Sequence, residues 1–202
     1  MIYVLHRINE LEQLKKIPSK YGVEIDIRSE GNNLIIHHDP FKKGVLFKEW
    51  LKIYNHKLLI INIKEEGLEP FIISELNKYK IKNFFFLDQS FPFIIKKSKL
   101  LSKKSAVRFS EFENIKTVLA VHKYVKWVWI DCFNYIPINK YIIEKLKENN
   151  FKICLVSPEL QGRNQFKEIF FTIKKLKKIG FKPDAICTKN ISIWESVFKN
   201  IW

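Results

Sequence analysis

The chain has 202 residues and a mass of 24.2 kDa, with 47% apolar and 14% aromatic residues; this is enough for one domain spanning 1–202 with a sizeable core and excludes a disordered chain. It has no run of about eighteen uncharged apolar residues to cross a membrane, and its start is too short and too soon charged at Arg7 for a secretory leader, so a cytoplasmic location is expected. The formal charge of +15 comes mostly from lysines strung along helical patterns, such as Lys174, Lys175, Lys177 and Lys178, which read as solvated faces; what remains is an attraction for anionic substrates, with no specific nucleic-acid partner and at most peripheral membrane contact.

Strand and helix patterns alternate from the first residues onward. A strand is predicted over 2–7, then a helix capped by Asn9 and running through Leu11, Leu14 and Ile17 to Pro18. Strands follow at 23–29 and 34–39, joined by Gly31-Asn32-Asn33. The turn is too short for both to be parallel neighbours, so the second is either a returning hairpin or an extension at the loop end. Helix 46–54, strand 58–64, helix 69–79, strand 84–88 and a helix over 93–101 entered through Pro92 come next. The remainder reads as strand 106–110, helix 114–124, strand 127–132, helix 139–148, strand 153–157, helix 166–179 closed by Gly180, strand 185–188 and helix 193–202.

About eight strand-helix units with polar residues gathered at strand C-terminal ends predict an α/β fold, a small, closed parallel (β/α)8 TIM-type barrel with its active face at the C-terminal mouth. A doubly wound open sheet is the alternative, although the chain contains neither GxGxxG nor GxxxxGK[ST]. Cys132, Cys154 and Cys187 are odd in number, far apart and set in apolar runs, which predicts buried thiols rather than a metal or redox pair.

One stretch stands out. In 23–29 the apolar Val23, Ile25 and Ile27 alternate with Glu24, Asp26 and Arg28, so two carboxylates and a guanidinium share one face. Alone, this could be a solvated edge strand. His38-Asp39 at the end of the next strand and His6-Arg7 at the end of the first make a chance convergence hard to sustain. Only four of the 36 basic residues are arginines, namely Arg7, Arg28, Arg108 and Arg163, and each falls at or just after a predicted strand end, where a rigid fork suits phosphate oxygens. His37 should point away from its neighbour His38 and pack structurally. His56 and His122 have no evident partner.

These residues taken together, His6-Arg7, Gly22-x-Glu24-x-Asp26, His38-Asp39 and Asn62-x-Lys64, resemble the glycerophosphodiester phosphodiesterases and their relatives among the phosphatidylinositol-specific phospholipases C. The resemblance covers the first third of the chain by motif and the rest by strand-helix order. It implies a phosphodiesterase acting on a glycerophosphodiester, lipid headgroup or phosphorylated glycan, with His6 and His38 as general base and acid. Glu24 and Asp26 would hold Mg²⁺ or Ca²⁺, with Asn62 at the third ligand position, and Arg7 and Lys64 would face phosphate. Nearer the C-terminus, Arg108 and Arg163 are candidates for the non-reacting part of an anionic substrate and Glu159 for its hydroxyls.

The chain departs from the family pattern in carrying Ile8-Asn9 where glycine is usual after His-Arg. Asn62 stands where a glutamate is usual, which removes one negative charge from the cation site; Asn9 is a candidate helper. The segment after Asp39 is too short for the insertion that caps the pocket of many relatives. A catalytically silent barrel that binds a phosphorylated ligand is the second reading, and a basic nucleic-acid-binding domain the third.

Overall fold

The apolar runs read as strands are buried on both faces, as parallel strands under a helical layer must be: Leu59–Ile63 and Phe84–Leu87 are buried at every position. The computed structural model describes residues 1–202 apart from the side chain of Gln165. Its strands are β1 (Ile2–Leu5), β2 (Gly22–Glu30), β3 (Asn33–Ile36), β4 (Val45–Leu46), β5 (Leu59–Ile63), β6 (Phe84–Leu87), β7 (Lys103–Phe109), β8 (Val125–Ile130), β9 (Lys152–Val156) and β10 (Ala185–Thr188). The helices are α1 (Leu11–Lys15), α2 (Phe47–Leu51), α3 (Glu69–Lys78), α4 (Phe91–Lys96), α5 (Ser98–Leu101), α6 (Ile115–Ala120), α7 (Lys140–Glu148), α8 (Gln165–Lys178) and α9 (Ile191–Ile201), with a 3₁₀ turn at Pro158–Gln161.

Eight parallel strands run in the order β1-β10-β9-β8-β7-β6-β5-β2, and β2 pairs back onto β1 through Val4↔Gly22 and Leu5↔Val23. The sheet is therefore a closed barrel, as the alternation predicts. Its interior is filled by Leu58, Ile60, Phe85, Trp127 and Cys154, with the Phe85 and Trp127 rings stacked 4.6 Å apart. Two further apolar clusters, one around Val23, Trp50 and Ile61 and the other around Val128, Ile153 and Trp194, join the strands to the helices.

The seam between β1 and β2 depends on Gly22. A Cβ there would lie 2.9 Å from the Leu58 carbonyl oxygen and from Val4 Cγ2, too close for either neighbour to yield cheaply. Gly22→Ala is expected to destabilise the fold by about 1–3 kcal/mol, the range for overpacking a filled core, measured by urea unfolding; unaltered stability would mean that the seam is looser than drawn.

The open question about 34–39 is resolved as a hairpin: β2 continues past the barrel and pairs antiparallel with β3, which pairs antiparallel with β4. Asn139 caps α7 by accepting from Ile142 N–H (2.9 Å), and Asn164 caps α8 by accepting from Lys167 N–H (3.0 Å).

Two expectations need correction. The predicted helix over 93–101 is two helices, broken at Lys97, whose φ of −103° and ψ of 14° leave the helical region. Strand β7 begins at Lys103, earlier than expected, because its polar start Lys103-Lys104-Ser105 carries a register shift and Ser105 is buried by donating to Gln89 Oε1 (2.6 Å). All three cysteines are buried free thiols, as predicted; burial pushes Cys132 up to about 12 and raises the other two as well. Among the described residues no helix is long and apolar enough to cross a membrane.

Candidate active site

Glu24 of β2 folds the chain that follows β1 over the barrel mouth. Its Oε2 accepts from the Arg7 backbone N–H (2.7 Å) and its carbonyl from Ile8 N–H (2.8 Å). Between these bonds Arg7 takes φ 56°, a left-handed backbone that costs a non-glycine residue about 1 kcal/mol. Glycine in this region would adopt it freely; here the bonds to Glu24 and the Trp50 Nε1–H to Ile8 O bond (3.1 Å) hold the turn.

Asn9 does not cap the first helix. Its amide donates to Asp26 Oδ2 (2.9 Å) and its Oδ1 accepts from Asp26 N–H (3.1 Å), while Glu10 takes the N-cap position with its N–H bonded to Gln13 Oε1 (3.2 Å). The pairing draws the loop after β1 onto the strand that carries the acids.

His6 precedes Arg7 in the chain and His38 contacts the Arg7 guanidinium. His6 follows β1, with Nε2 3.8 Å from Glu24 Oε2, and burial, then the Arg7 charge, pushes its pKa down to about 4. It is a neutral imidazole at pH 7. His38 follows β3. Its Nε2 accepts from Arg7 Nη2 (2.6 Å), so the ring proton lies on Nδ1, which donates to Asp39 Oδ1 (2.7 Å). Arg28 fixes the backbone there by donating from Nε and Nη2 to the His38 carbonyl (3.1 and 3.0 Å). His37 turns aside as expected, with Nδ1 accepting from Asp39 N–H (3.0 Å). His56 and His122 contact the backbone carbonyls of Ile17 and Leu119, away from this cluster.

Glu24, Asp26 and Asn62 occupy neighbouring register positions on β2 and β5, where Asp26 pairs with Asn62. Both acids are fully buried. Burial, reinforced by Asp26, raises the Glu24 pKa. Lys64 Nζ lies 3.1 Å from Asp26 Oδ1 and Arg7 Nε 3.8 Å from Asp26 Oδ2, so both cations pair with Asp26. Among the described residues Glu24 Oε1 and Asn62 Oδ1 are buried without a hydrogen-bond partner. Unpartnered hard oxygens beside a buried carboxylate fit a divalent cation of the Mg²⁺ or Ca²⁺ type. A cleft of about 510 Å³ lined by Ser29, Asn33 and Phe71 is elsewhere, outside the barrel beside α3.

Arg108, Glu159 and Arg163 are not gathered into this cluster; each is engaged within the protein. Arg108 is four strands from β1 across the barrel and joins Asp88 (Nε to Oδ1, 2.6 Å) to Asp131, whose other oxygen accepts from Gln161 Nε2 (2.9 Å). Burial, opposed by Arg108, holds Asp131 above the usual carboxylate range. Arg108→Ala leaves that carboxylate with Gln161 alone and is expected to cost about 2 kcal/mol by urea unfolding. That is less than the ~3–5 for fully buried pairs, because the Arg108 side chain is 38% exposed. A variant as stable as the parent would mean that the Arg108–Asp131 pair contributes nothing net to the fold. Glu159 accepts from Ser157 Oγ, Thr188 Oγ1 and Lys189 N–H, tying the ends of β9 and β10 together. Arg163 pairs with Glu168 and donates to the Cys132 carbonyl (3.2 Å). The sequence marked Asp88 only as an acid at a strand end, and it gave no sign of Gln161, in the 3₁₀ turn, or of Lys189, after β10, as parts of these networks.

No family model matches the chain, and no curated protein does. Solved structures match over nearly its whole length. A chain from Agrobacterium tumefaciens described as a glycerophosphoryl diester phosphodiesterase superposes with a TM-score of 0.70 at 10% identity, covering 98% of this chain and 97% of that one. A glycerophosphodiester phosphodiesterase from the same organism gives 0.67 at 10% identity, covering 98% and 99%. A glycerophosphoryl diester phosphodiesterase from Parabacteroides distasonis gives 0.66 at 12% identity, covering 100% and 87%. The chain has the fold of these phosphodiesterases. Within that fold, the convergence at the mouth of β1, β2 and β5 must carry any argument about chemistry, since a shared barrel does not fix an activity.

Proposed function

We propose that the chain is a phosphoric diester hydrolase that cleaves a glycerophosphodiester-type bond at the barrel mouth, using His6 as general base and His38 as general acid. The observation that carries this is the pair of imidazoles flanking Arg7, one buried and neutral, the other hydrogen-bonded to a carboxylate. The fold shared with the phosphodiesterases supports it.

The roles follow from the surroundings of each ring. His6 takes the proton of the attacking hydroxyl, whether water or a hydroxyl of the substrate itself, as the new P–O bond forms. His38 gives a proton to the departing alkoxide as the old P–O bond breaks; Asp39 orients the ring and stabilises the imidazolium that precedes this transfer. For Nε2 to donate, Arg7 must leave it. The Arg7 side chain is 45% exposed and has a stronger partner in a phosphate, so substrate entry exchanges one contact for the other. Lys64 adds a second positive charge from β5.

Glu24, Asp26 and Asn62 would hold Mg²⁺ or Ca²⁺, and such an ion, when bound, supplies charge stabilisation to the phosphoryl oxygens. The substrate class is a small phosphodiester, a lipid headgroup or a phosphorylated glycan.

The test is turnover of glycerophosphodiesters, lysophospholipids and an aryl phosphodiester by the purified chain, with Mg²⁺, Ca²⁺ or chelator, the products being resolved by ³¹P NMR. Cleavage that depends on His6 and His38 is the expected result. Inactivity across the panel, combined with melting shifts on adding phosphodiesters, would replace the enzyme by a phosphorylated-ligand-binding barrel, the reading that Asn62 favours.

A further inference from the structure

Acids and arginines gather on the mouth side of the barrel, and the other end is left to lysine. There, one exposed lysine stands at the start of each of six strands: Lys57 and Lys82 two residues before β5 and β6, Lys103 opening β7, Lys123 two before β8, Lys152 opening β9 and Lys182 three before β10. These strands are consecutive neighbours in the barrel, so the six lysines form an arc around the end remote from His6 and His38.

The arc has almost no counter-charge. In the segments 52–58, 79–83, 121–124, 149–151 and 179–184 the one acid is Asp184, whose Oδ2 accepts from Ile153 N–H (2.8 Å). Acids near the ends of the adjoining helices are already paired, Glu75 with Lys78 (2.6 Å) and Glu148 with Lys145 (2.7 Å). Among the described residues the lysines in salt bridges are others, such as Lys15, Lys52 and Lys140. Lys152 and Lys182 rest over the Trp127 and Trp202 rings (5.4 and 4.4 Å), which leaves their charge uncancelled. The backbone beneath is held by neighbouring lysines: Lys104 Nζ donates to the Lys82 carbonyl (2.7 Å) and Lys126 Nζ to that of Asn150 (2.6 Å).

A series of ammonium groups, one for each strand and about 4.8 Å of sheet, has a charge density of the same order as a nucleic-acid strand, with one phosphate per about 3.4 Å. Its curvature suits a single strand, because a duplex stays stiff over about 50 nm. Lysine is a point charge on a flexible stem, which meets phosphates without reading bases. None of the exposed large apolar side chains falls in these segments, so the aromatic anchoring of a bilayer surface is missing here.

We propose that this arc binds the phosphate backbone of single-stranded nucleic acid, without regard to sequence, at the end of the barrel opposite the candidate active site. The contact is independent of the phosphodiesterase reading.

The experiment is fluorescence anisotropy of labelled oligouridylate and oligodeoxythymidylate with the full chain over a salt series. Both should bind alike, with a log–log salt slope of about −4, the value for six lysine–phosphate contacts on a single strand. The triple variant Lys57→Gln/Lys82→Gln/Lys123→Gln should bind at least about tenfold more weakly, its slope reduced to about −2. The control Lys42→Gln/Lys43→Gln/Lys167→Gln, which has the same net charge but changes exposed lysines on the mouth side, should bind like the parent. If the arc variant does not fold, lysine acetylation of the parent read by mass spectrometry decides: bound oligouridylate should protect the arc, and protection of Lys42 and Lys43 instead would overturn the proposal. Equal losses in the two variants would reduce the contact to net charge, and a strong preference for one oligonucleotide would remove the backbone reading. No binding at low salt would end it. Phosphatidylcholine–phosphatidylglycerol vesicles that displace the oligonucleotide and sediment the parent but not the arc variant would make the arc a lipid surface and sink the nucleic-acid assignment.

Discussion

His6→Ala should lower turnover of every phosphodiester by about 10²–10⁴-fold, the usual worth of a positioned proton acceptor, whereas His38→Ala should do so only where the leaving group is poor. The difference follows from the two roles. An alkoxide such as glycerol's must be protonated as it departs, but an aryloxide leaves largely unaided, so a missing general acid matters little for an aryl diester. His6 serves the attacking oxygen, and its loss is felt whatever leaves. Asp39→Asn should resemble a milder His38→Ala, since it keeps the ring hydrogen-bonded and removes the negative charge beside it. The measurement is kcat for each variant on a glycerophosphodiester and on a nitrophenyl diester. A His38→Ala variant equally impaired on both would reassign that residue to phosphate binding beside Arg7; a fully active His6→Ala would remove the mechanism.

The barrel was legible because most of its strands, such as Leu59–Ile63 and Phe84–Leu87, are apolar runs of the length a parallel sheet requires, and because polar residues cluster at one end of those runs. The central constellation was legible for a narrower reason: Glu24, Asp26 and Arg28 break an alternation whose other face is uniformly apolar, and buried carboxylates with no local partner demand a distant one. Asn9 and Arg108 show where such reading stops. Asn9 looks like a helix cap because the local pattern fits one, yet a bond to Asp26 across 17 residues prevails. Arg108 stands at a strand end like Arg7, and nothing in its neighbourhood reveals that Asp88 and Asp131, 20 and 23 residues away, claim its guanidinium. Sequence shows which residues carry charge at the mouth; pairing among them is decided by barrel closure, which sets unrelated loops side by side.

Asn62→Glu should strengthen binding of Mg²⁺ or Ca²⁺ by at least about tenfold, because ligand charge sets affinity at a hard-oxygen site. It should also lower the stability of the metal-free protein. In the parent, Arg7 and Lys64 both pair with Asp26 while Glu24 is held by the Arg7 backbone N–H, and the amide adds an acceptor without adding charge. A third carboxylate beside Glu24, whose ionisation burial and Asp26 already oppose, has no cation left to balance it. The variant should therefore melt below the parent in chelator, and its melting temperature should rise further than the parent's as either cation is titrated in. Both proteins are compared by thermal unfolding over a metal series. A cation-dependent rise in both would establish a working ion site that Asn62 merely weakens. A rise in the variant alone would mean that the parent handles phosphate with Arg7 and Lys64 as its cations, the amide having released the barrel from the need for an ion. No rise in either would exclude Glu24, Asp26 and position 62 as a ligand set and leave the two unpartnered oxygens to the substrate.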